Sequence, residues 1–210
     1  HQIIQSKQSL SEPHHQCLMK QLLLGVQAMH KLGVLHRDLK PGNLLVTRDC
    51  QLRITDFGLA RAWDRSTPDA KESAVGAMTE YVVTRWYRCP ELLLGSRLYD
   101  GCAVDMWSVG CIFAEVLCGD YFFKGESEID QLQKIVATMG VPSEENWPGY
   151  GDLPSAKVFK WKASAKPAAA APLRRPQVLE LEEPAAATRP LLLVLRFRLG
   201  DGRLVVRLAR

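Results

Sequence analysis

The chain begins at His1 rather than Met and shows no basic stretch leading into an apolar core, so no secretory signal is legible and the sequence reads as a fragment. No run approaches the roughly 18 apolar residues that cross a bilayer. Charge of one sign is scarce in the body: residues 1–162 hold 18 Lys and Arg against 19 Asp and Glu, while 163–210 hold 9 against 4. The net charge of +4 therefore belongs to the tail, and the body carries no electrostatic case for nucleic acid. The six cysteines include no Cys-x-x-Cys pair, which points to free thiols in a reducing compartment rather than disulfides. These absences together predict a soluble protein of the cytoplasm, with the nucleus as a second location, and neither a membrane nor a nucleic acid as partner. The last stretch, 163–210, has no Ile, Asn, Cys, Tyr, Trp, His or Met, but ten Ala, ten Leu and five Pro. A boundary follows near 161: residues 1–161 form a domain, and 162–210 a low-complexity tail. That tail reads as a disordered appendage or as the product of a shifted frame or retained intron.

What is present is concentrated between residues 36 and 58. His36-Arg37-Asp38-Leu39-Lys40-Pro41-Gly42-Asn43 sets a carboxylate, a cation and a carboxamide within eight residues. Phosphoryl transfer needs an acid to orient a hydroxyl, a cation for a phosphate, and oxygens for a metal ion. A second carboxylate follows in Asp56-Phe57-Gly58. Either motif alone arises by chance; in this order and at this separation they are specific.

Around them, Ser11 caps a helix running to about Lys31, with Leu18, Leu22, Val26 and Met29 at helical spacing and Gly33 ending it. Leu44–Val46 and Leu52–Thr55 read as a hairpin that fixes the distance from Asn43 to Asp56. Residues 61–78 lack periodicity and read as a mobile loop. Ala103 to Cys118 is apolar nearly all round and must be buried, with Asp105 needing partners near its start. Glu128 to Met139 is a further amphipathic helix. Leu191 to Val206 alternates enough to pair about Gly200-Asp201-Gly202.

The two motifs resemble the catalytic loop and metal-binding loop of protein kinases, and the resemblance runs from His1 to about Trp161. It implies a mainly α, kinase-like fold: the large, C-terminal lobe with a short hairpin at the active site, the small β-rich lobe absent. Asp56–Arg61 and Trp86-Tyr87-Arg88 are similar to the group holding MAP kinases and cyclin-dependent kinases. Thr79-Glu80-Tyr81 resembles the dual-phosphorylation motif of MAP kinases of the extracellular-signal-regulated type, as do His1–Ile4 and Leu10–Glu12. Gly125–Leu132 and Trp147-Pro148-Gly149 look more like cyclin-dependent kinases.

By motif, the resemblance makes Asp38 the residue that orients a substrate hydroxyl and Lys40 the cation on the transferred phosphoryl group. Asn43 and Asp56 would hold Mg2+ on ATP, Leu45 would floor the adenine pocket, and Thr84 would hydrogen-bond Asp38 and Lys40. Arg37 and Arg61 would gather phospho-Thr79, and Arg85 and Arg88 phospho-Tyr81, four exposed guanidiniums well suited to phosphate. The implied partners are proteins with Ser/Thr-Pro sites and an upstream dual-specificity MAP kinase kinase. Three features depart from the pattern. No Gly-rich loop, strand lysine or partner glutamate precedes Asp38, and no acidic docking patch follows. Cys89 stands where Ala is usual. Glu91 lacks its downstream arginine, and a buried unpaired Glu would cost on the order of 3–5 kcal/mol. A catalytically inactive lobe that captures kinases or docking peptides is therefore a competing reading.

Overall fold

Asp100 begins the helix against which the rest packs. Its Oδ1 accepts the backbone N–H of Cys102 at 2.9 Å and of Ala103 at 3.3 Å, so the helix starts two residues earlier than periodicity alone places it. In the computed structural model, which describes residues 1–6, 8, 10–63, 84–97, 99–159, 161, 193–199 and 202–208, this helix runs Gly101–Cys118. The other elements are α1 (Gln2–Gln5), α2 (Glu12–Lys31), β1 (Val34–Leu35), β2 (Leu44–Val46), β3 (Leu52–Ile54) and β4 (Arg61–Ala62). Then come α3 (Pro90–Leu93), α4 (Gly101–Cys118), α5 (Glu128–Met139), β5 (Leu193–Leu199) and β6 (Gly202–Leu208).

The α4 helix buries Val104, Trp107, Val109, Ile112 and Phe113, and α2 lays Met19, Leu22 and Val26 into the same core. By length and composition α4 would suffice to cross a membrane, a correction to the reading that no stretch does. Yet 67% of that span is buried against the protein's own residues, which is the other destination of a helix apolar all round.

The strands are short antiparallel pairs. β2 and β3 pair Leu44 with Ile54 and Val46 with Leu52, the hairpin expected between the two motifs. Gln21 on α2 clasps it: Oε1 accepts Leu52 N–H at 2.9 Å, and Nε2 donates to Cys50 O at 2.8 Å. The β1–β4 pair was not legible in the sequence. Val34 faces Ala62 and Leu35 faces Arg61, so residues 61–62, expected to open a mobile loop, are strand. Two residues per strand carry no alternation to read. The pair is set by Gly33, whose φ of 69° turns the chain so that Trp63 N–H reaches Gly33 O at 2.6 Å. Residues 64–83, with most of that expected loop, lie outside the described residues. β5 and β6 form a hairpin closing at Leu199 and Gly202, as the alternation predicted, and the backbone of β6 approaches α4.

At the C-terminal side of the core, Gln131 on α5 is fully buried and joins three segments. Its Oε1 accepts Gly125 N–H at 2.8 Å and its Nε2 donates to Trp86 O at 3.3 Å. All six cysteines are free thiols.

Candidate active site

The catalytic turn hangs from α4. Asp105, wholly buried, accepts the backbone N–H of His36 at 2.9 Å and of Arg37 at 2.7 Å. Arg37 has φ of 69°, a left-handed conformation uncommon for a side chain of that size, and the two bonds to Asp105 hold it there. The expectation that Asp105 needs backbone partners is met. The sequence reading missed a third donor: His30 Nε2 lies 2.8 Å from Asp105 Oδ2. Desolvation pushes the His30 pKa down, but its bonds to Asp105 and Cys102 outweigh burial and raise it to about 9. A signal existed. His30 continues the Leu22–Val26 spacing into the core, where an imidazole requires a polar partner.

His36 is buried beneath the turn. Its Nδ1 accepts Asp38 N–H at 3.3 Å and its Nε2 meets Thr55 O at 3.0 Å, which assigns the proton to Nε2. The ring of Phe57 lies with its centroid 5.1 Å from that of His36, but Phe57 itself is exposed rather than part of the core.

These contacts bring the sequence-predicted residues into one cluster. Asp38 Oδ2 accepts Lys40 Nζ at 2.7 Å and Asn43 Nδ2 at 3.0 Å, and Asn43 Nδ2 also bonds Asp38 O at 2.8 Å. Asn43 O in turn accepts Thr55 N–H at 2.9 Å and the Thr55 hydroxyl at 3.1 Å, tying the first motif to the residue before Asp56. Asp56 has φ of 62° and lies exposed, its Oδ1 accepting Gly58 N–H at 3.4 Å. A Cβ on Gly58 would stand 3.2 Å from that oxygen, which favours glycine there. One carboxylate and one carboxamide oxygen, both hard donors, suit a hard divalent cation. Among the described residues no group of three or more His, Cys, Asp or Glu could hold a metal alone, so further oxygens would come from phosphate or water. Leu45 is 57% exposed on β2, opposite Arg53 of β3.

Two expectations change. Thr84 lines a small cleft with Arg37, Asp38, Leu39 and Tyr87, but its expected hydrogen bonds to Asp38 and Lys40 are not among those of the described residues. Lys40 and Asn43 take the Asp38 carboxylate instead. The four arginines are not equally exposed. Arg37 is buried, and the Arg88 side chain is 9% exposed with Nη1 on Glu128 Oε1 at 3.1 Å. Arg85 Nη1 donates to Glu126 O at 2.7 Å, so both Arg85 and Arg88 are tied to the segment entering α5. Arg61 lies at the surface in β4, paired with Leu35, two residues before Arg37. Thr79 and Tyr81 lie outside the described residues. Glu91 is only partly buried in the first turn of α3, which lifts the large penalty foreseen for it. A groove lined by Trp86, Tyr121, Phe122 and Lys124 lies apart from the cleft that holds Asp38.

The protein kinase domain family matches residues 1–167. The chain belongs to the protein kinase family. Within it, the mitogen-activated protein kinase MPS1 of Pyricularia oryzae is 53% identical over 143 residues, 68% of this chain and 33% of that relative. The mitogen-activated protein kinase MKC1 of Candida albicans is 54% identical over 144 residues, 69% of this chain and 28% of its own length. Cyclin-dependent kinase G1 of Arabidopsis thaliana is 48% identical over 151 residues, 72% and 23% respectively. The chain thus spans about a third or less of the length of these curated relatives. Among solved kinases, it is similar to a chain of the yeast RNA Pol II CTD kinase CTDK-1 complex. The TM-score is 0.64 at 38% identity, over 73% of this chain and 47% of that one. The fold is kinase-like, rich in helix with few strands, as the motifs implied.

Proposed function

We propose that residues 1–161 are the large lobe of a Ser/Thr protein kinase of the MAP kinase type, which transfers the γ-phosphate of ATP to Ser or Thr followed by Pro. The observation that carries this reading is the convergence of Lys40 and Asn43 on one oxygen of Asp38. Asp38 Oδ2 is the site for a substrate hydroxyl, whose proton it accepts or orients as the new P–O bond forms. Lys40, within 2.7 Å of that oxygen, can turn to the transferred phosphoryl group and offset its charge. Asn43 and Asp56 would hold Mg2+, which would supply positive charge to offset that of the phosphates. Leu45 floors the adenine pocket, its other walls belonging to a small β-rich lobe outside these residues. Asp105 and His36 are positioning residues that fix the turn.

Support for the MAP kinase type comes from Thr79-Glu80-Tyr81 and from relatives named MAP kinases. The partners are proteins with Ser/Thr-Pro sites and a dual-specificity kinase upstream. The relatives named cyclin-dependent kinases favour a second reading, in which a cyclin-like subunit replaces the second phosphorylation. The test uses this chain joined to the preceding segment of a MAP kinase relative, with Mg-ATP and a Ser-Pro peptide. Asp38→Asn should lower kcat by about 10²–10⁴-fold while ATP binding persists, the range for losing a general acid–base group. Undiminished turnover in that variant would overturn the assignment of Asp38.

A further inference from the structure

Two of the cysteines, one on α2 and one in the β2–β3 turn, share a single hydrogen-bond donor. Cys17 is exposed on α2, and Cys50 occupies the turn between β2 and β3. The Gln21 carboxamide sits between them: Nε2 donates to Cys50 O at 2.8 Å and to Cys17 Sγ at 3.2 Å, and lies 3.4 Å from Cys17 O. One amide nitrogen thus touches both the Cys17 sulfur and the Cys50 carbonyl, which holds the two cysteines side by side, and, besides burial, Cys17 is near enough to raise the Cys50 thiol pKa. Cys50 also has φ of 59°, one of only three such non-glycine residues among those described. Buried thiols such as Cys89 and Cys111 are inert by comparison, enclosed in the core and held protonated by burial.

We propose that Cys17 and Cys50 are a redox-active dithiol that closes to an intramolecular disulfide when the protein meets a peroxide. Cys17, the exposed member, attacks. Its thiolate displaces hydroxide from hydrogen peroxide, breaking the O–O bond and leaving a sulfenic acid. The Cys50 sulfur then attacks the Cys17 sulfur, expelling the oxygen as water. Two thiols and one hydrogen peroxide give one disulfide and two waters, the two electrons of the S–S bond having gone to the peroxide. Burial raises the Cys50 pKa, as does its neighbour Cys17, which suits it to resolve rather than attack. The closed loop would contain the whole His36–Asn43 motif. It would bind α2 covalently to the hairpin that spaces Asn43 from Asp56, in place of the Gln21 clasp. This inference needs no kinase activity to be correct.

The test treats the full chain with hydrogen peroxide, then blocks remaining thiols and maps the peptides. The expected product loses two hydrogen masses and yields one linked peptide pair containing Cys17 and Cys50. Dithiothreitol should reverse it, and the unfolding temperature should rise while it is present. In Cys50→Ser, Cys17 should instead accumulate as sulfenic acid trapped by dimedone, with no intramolecular link and no thermal shift. Because serine at this exposed turn could alter folding, Gln21→Ala serves as a second probe; it leaves both thiols in place and should still form the link. Linkage between two chains would overturn the proposal. So would over-oxidation of Cys17 with Cys50 left free in the unmodified sequence.

Discussion

At the scale of the residue, Asp105 carries the most consequence, because three donors converge on its two oxygens. Two are backbone groups that never titrate; the third, His30, does. Its pKa of about 9 in the fold stands above the ordinary value of 6.5, so the protonated pair stabilises the native state. That stability is fully present below about pH 6.5 and is lost as pH rises through about 9. By about 1.36 kcal/mol per unit it amounts to roughly 3 kcal/mol. Urea unfolding of the chain and of His30→Gln at pH 6 and at pH 10 checks it. The gap between the two proteins should be widest at pH 6 and shrink toward pH 10, and a gap independent of pH would reject the ionic pair. Much of the site at this scale was legible in the sequence. Asp38, Lys40 and Asn43 meet as their spacing implied, and Asp105 holds the turn. His30 was missed because a single imidazole among Leu and Val reads as filler until its depth is known. Thr84 was over-read, since motif spacing gives proximity to Asp38 but not a hydroxyl's bond.

At the scale of the element, what mattered was where helices end and what they touch on arrival. Periodicity located α2 and α5 nearly to the residue and placed the β2–β3 hairpin, because each has a repeating apolar pattern and a capping or turn residue. β1 and β4 have neither, and exist because Gly33 and the first turn of α4 leave only one path for the chain. Gly101 shows how tight that path is. A Cβ on it would fall 1.9 Å from Leu35 Cδ1 and 3.0 Å from Leu35 Cγ, and Leu35 is fully buried immediately before His36. The helix cap and the catalytic strand thus share one space. Replacing Gly101 with Ala should force Leu35 aside and destabilise the protein by about 1–3 kcal/mol, the range for overpacking a filled core. Since Leu35 is bonded through the chain to His36, the same change should loosen the turn. Thermal unfolding measures the first effect, and faster amide exchange at His36 and Arg37 the second. An unchanged exchange rate would mean that β1 absorbs the strain alone. Gly101→Ala combined with Leu35→Val should recover part of the loss, since the shorter side chain withdraws the colliding methyl group.

At the scale of the whole molecule, the proposed phosphorylation of Thr79 and Tyr81 would have to compete for arginines that are already occupied. The sequence suggested four free guanidiniums, because exposure cannot be read from residue type. Instead Arg88 pairs with Glu128, half exposed at the start of α5, and Arg85 bonds the carbonyl of Glu126. A phosphate on Tyr81 must displace these partners. The pair it displaces is weak: an ion pair with an exposed carboxylate contributes about 0–1 kcal/mol. The phosphate brings nearly two charges and can form one to three charge-assisted hydrogen bonds, so it wins the exchange. On the proposed reading, the unphosphorylated protein would hold Arg85 on the Glu126 carbonyl and Arg88 on Glu128, and phosphorylation of Tyr81 would draw them to its loop while Arg37 and Arg61 would take the phosphate on Thr79. A cyclin-dependent kinase would use the threonine phosphate and a partner subunit and would leave the tyrosine idle. The discriminating measurement is activity toward a Ser-Pro peptide after treatment with a dual-specificity kinase, in a protein that also carries the segments its relatives have beyond this match. Tyr81→Phe and Thr79→Ala should each lower kcat/KM by at least about tenfold, the equivalent of 1.4 kcal/mol in transition-state stabilisation. Glu128→Gln should leave phosphorylated activity intact and ease activation, since it removes only the competitor for Arg88. Full activity in Tyr81→Phe would reject the MAP kinase type in favour of the cyclin-dependent one. Loss of phosphorylated activity in Glu128→Gln would show that the Arg88 pair is structural rather than a parking place.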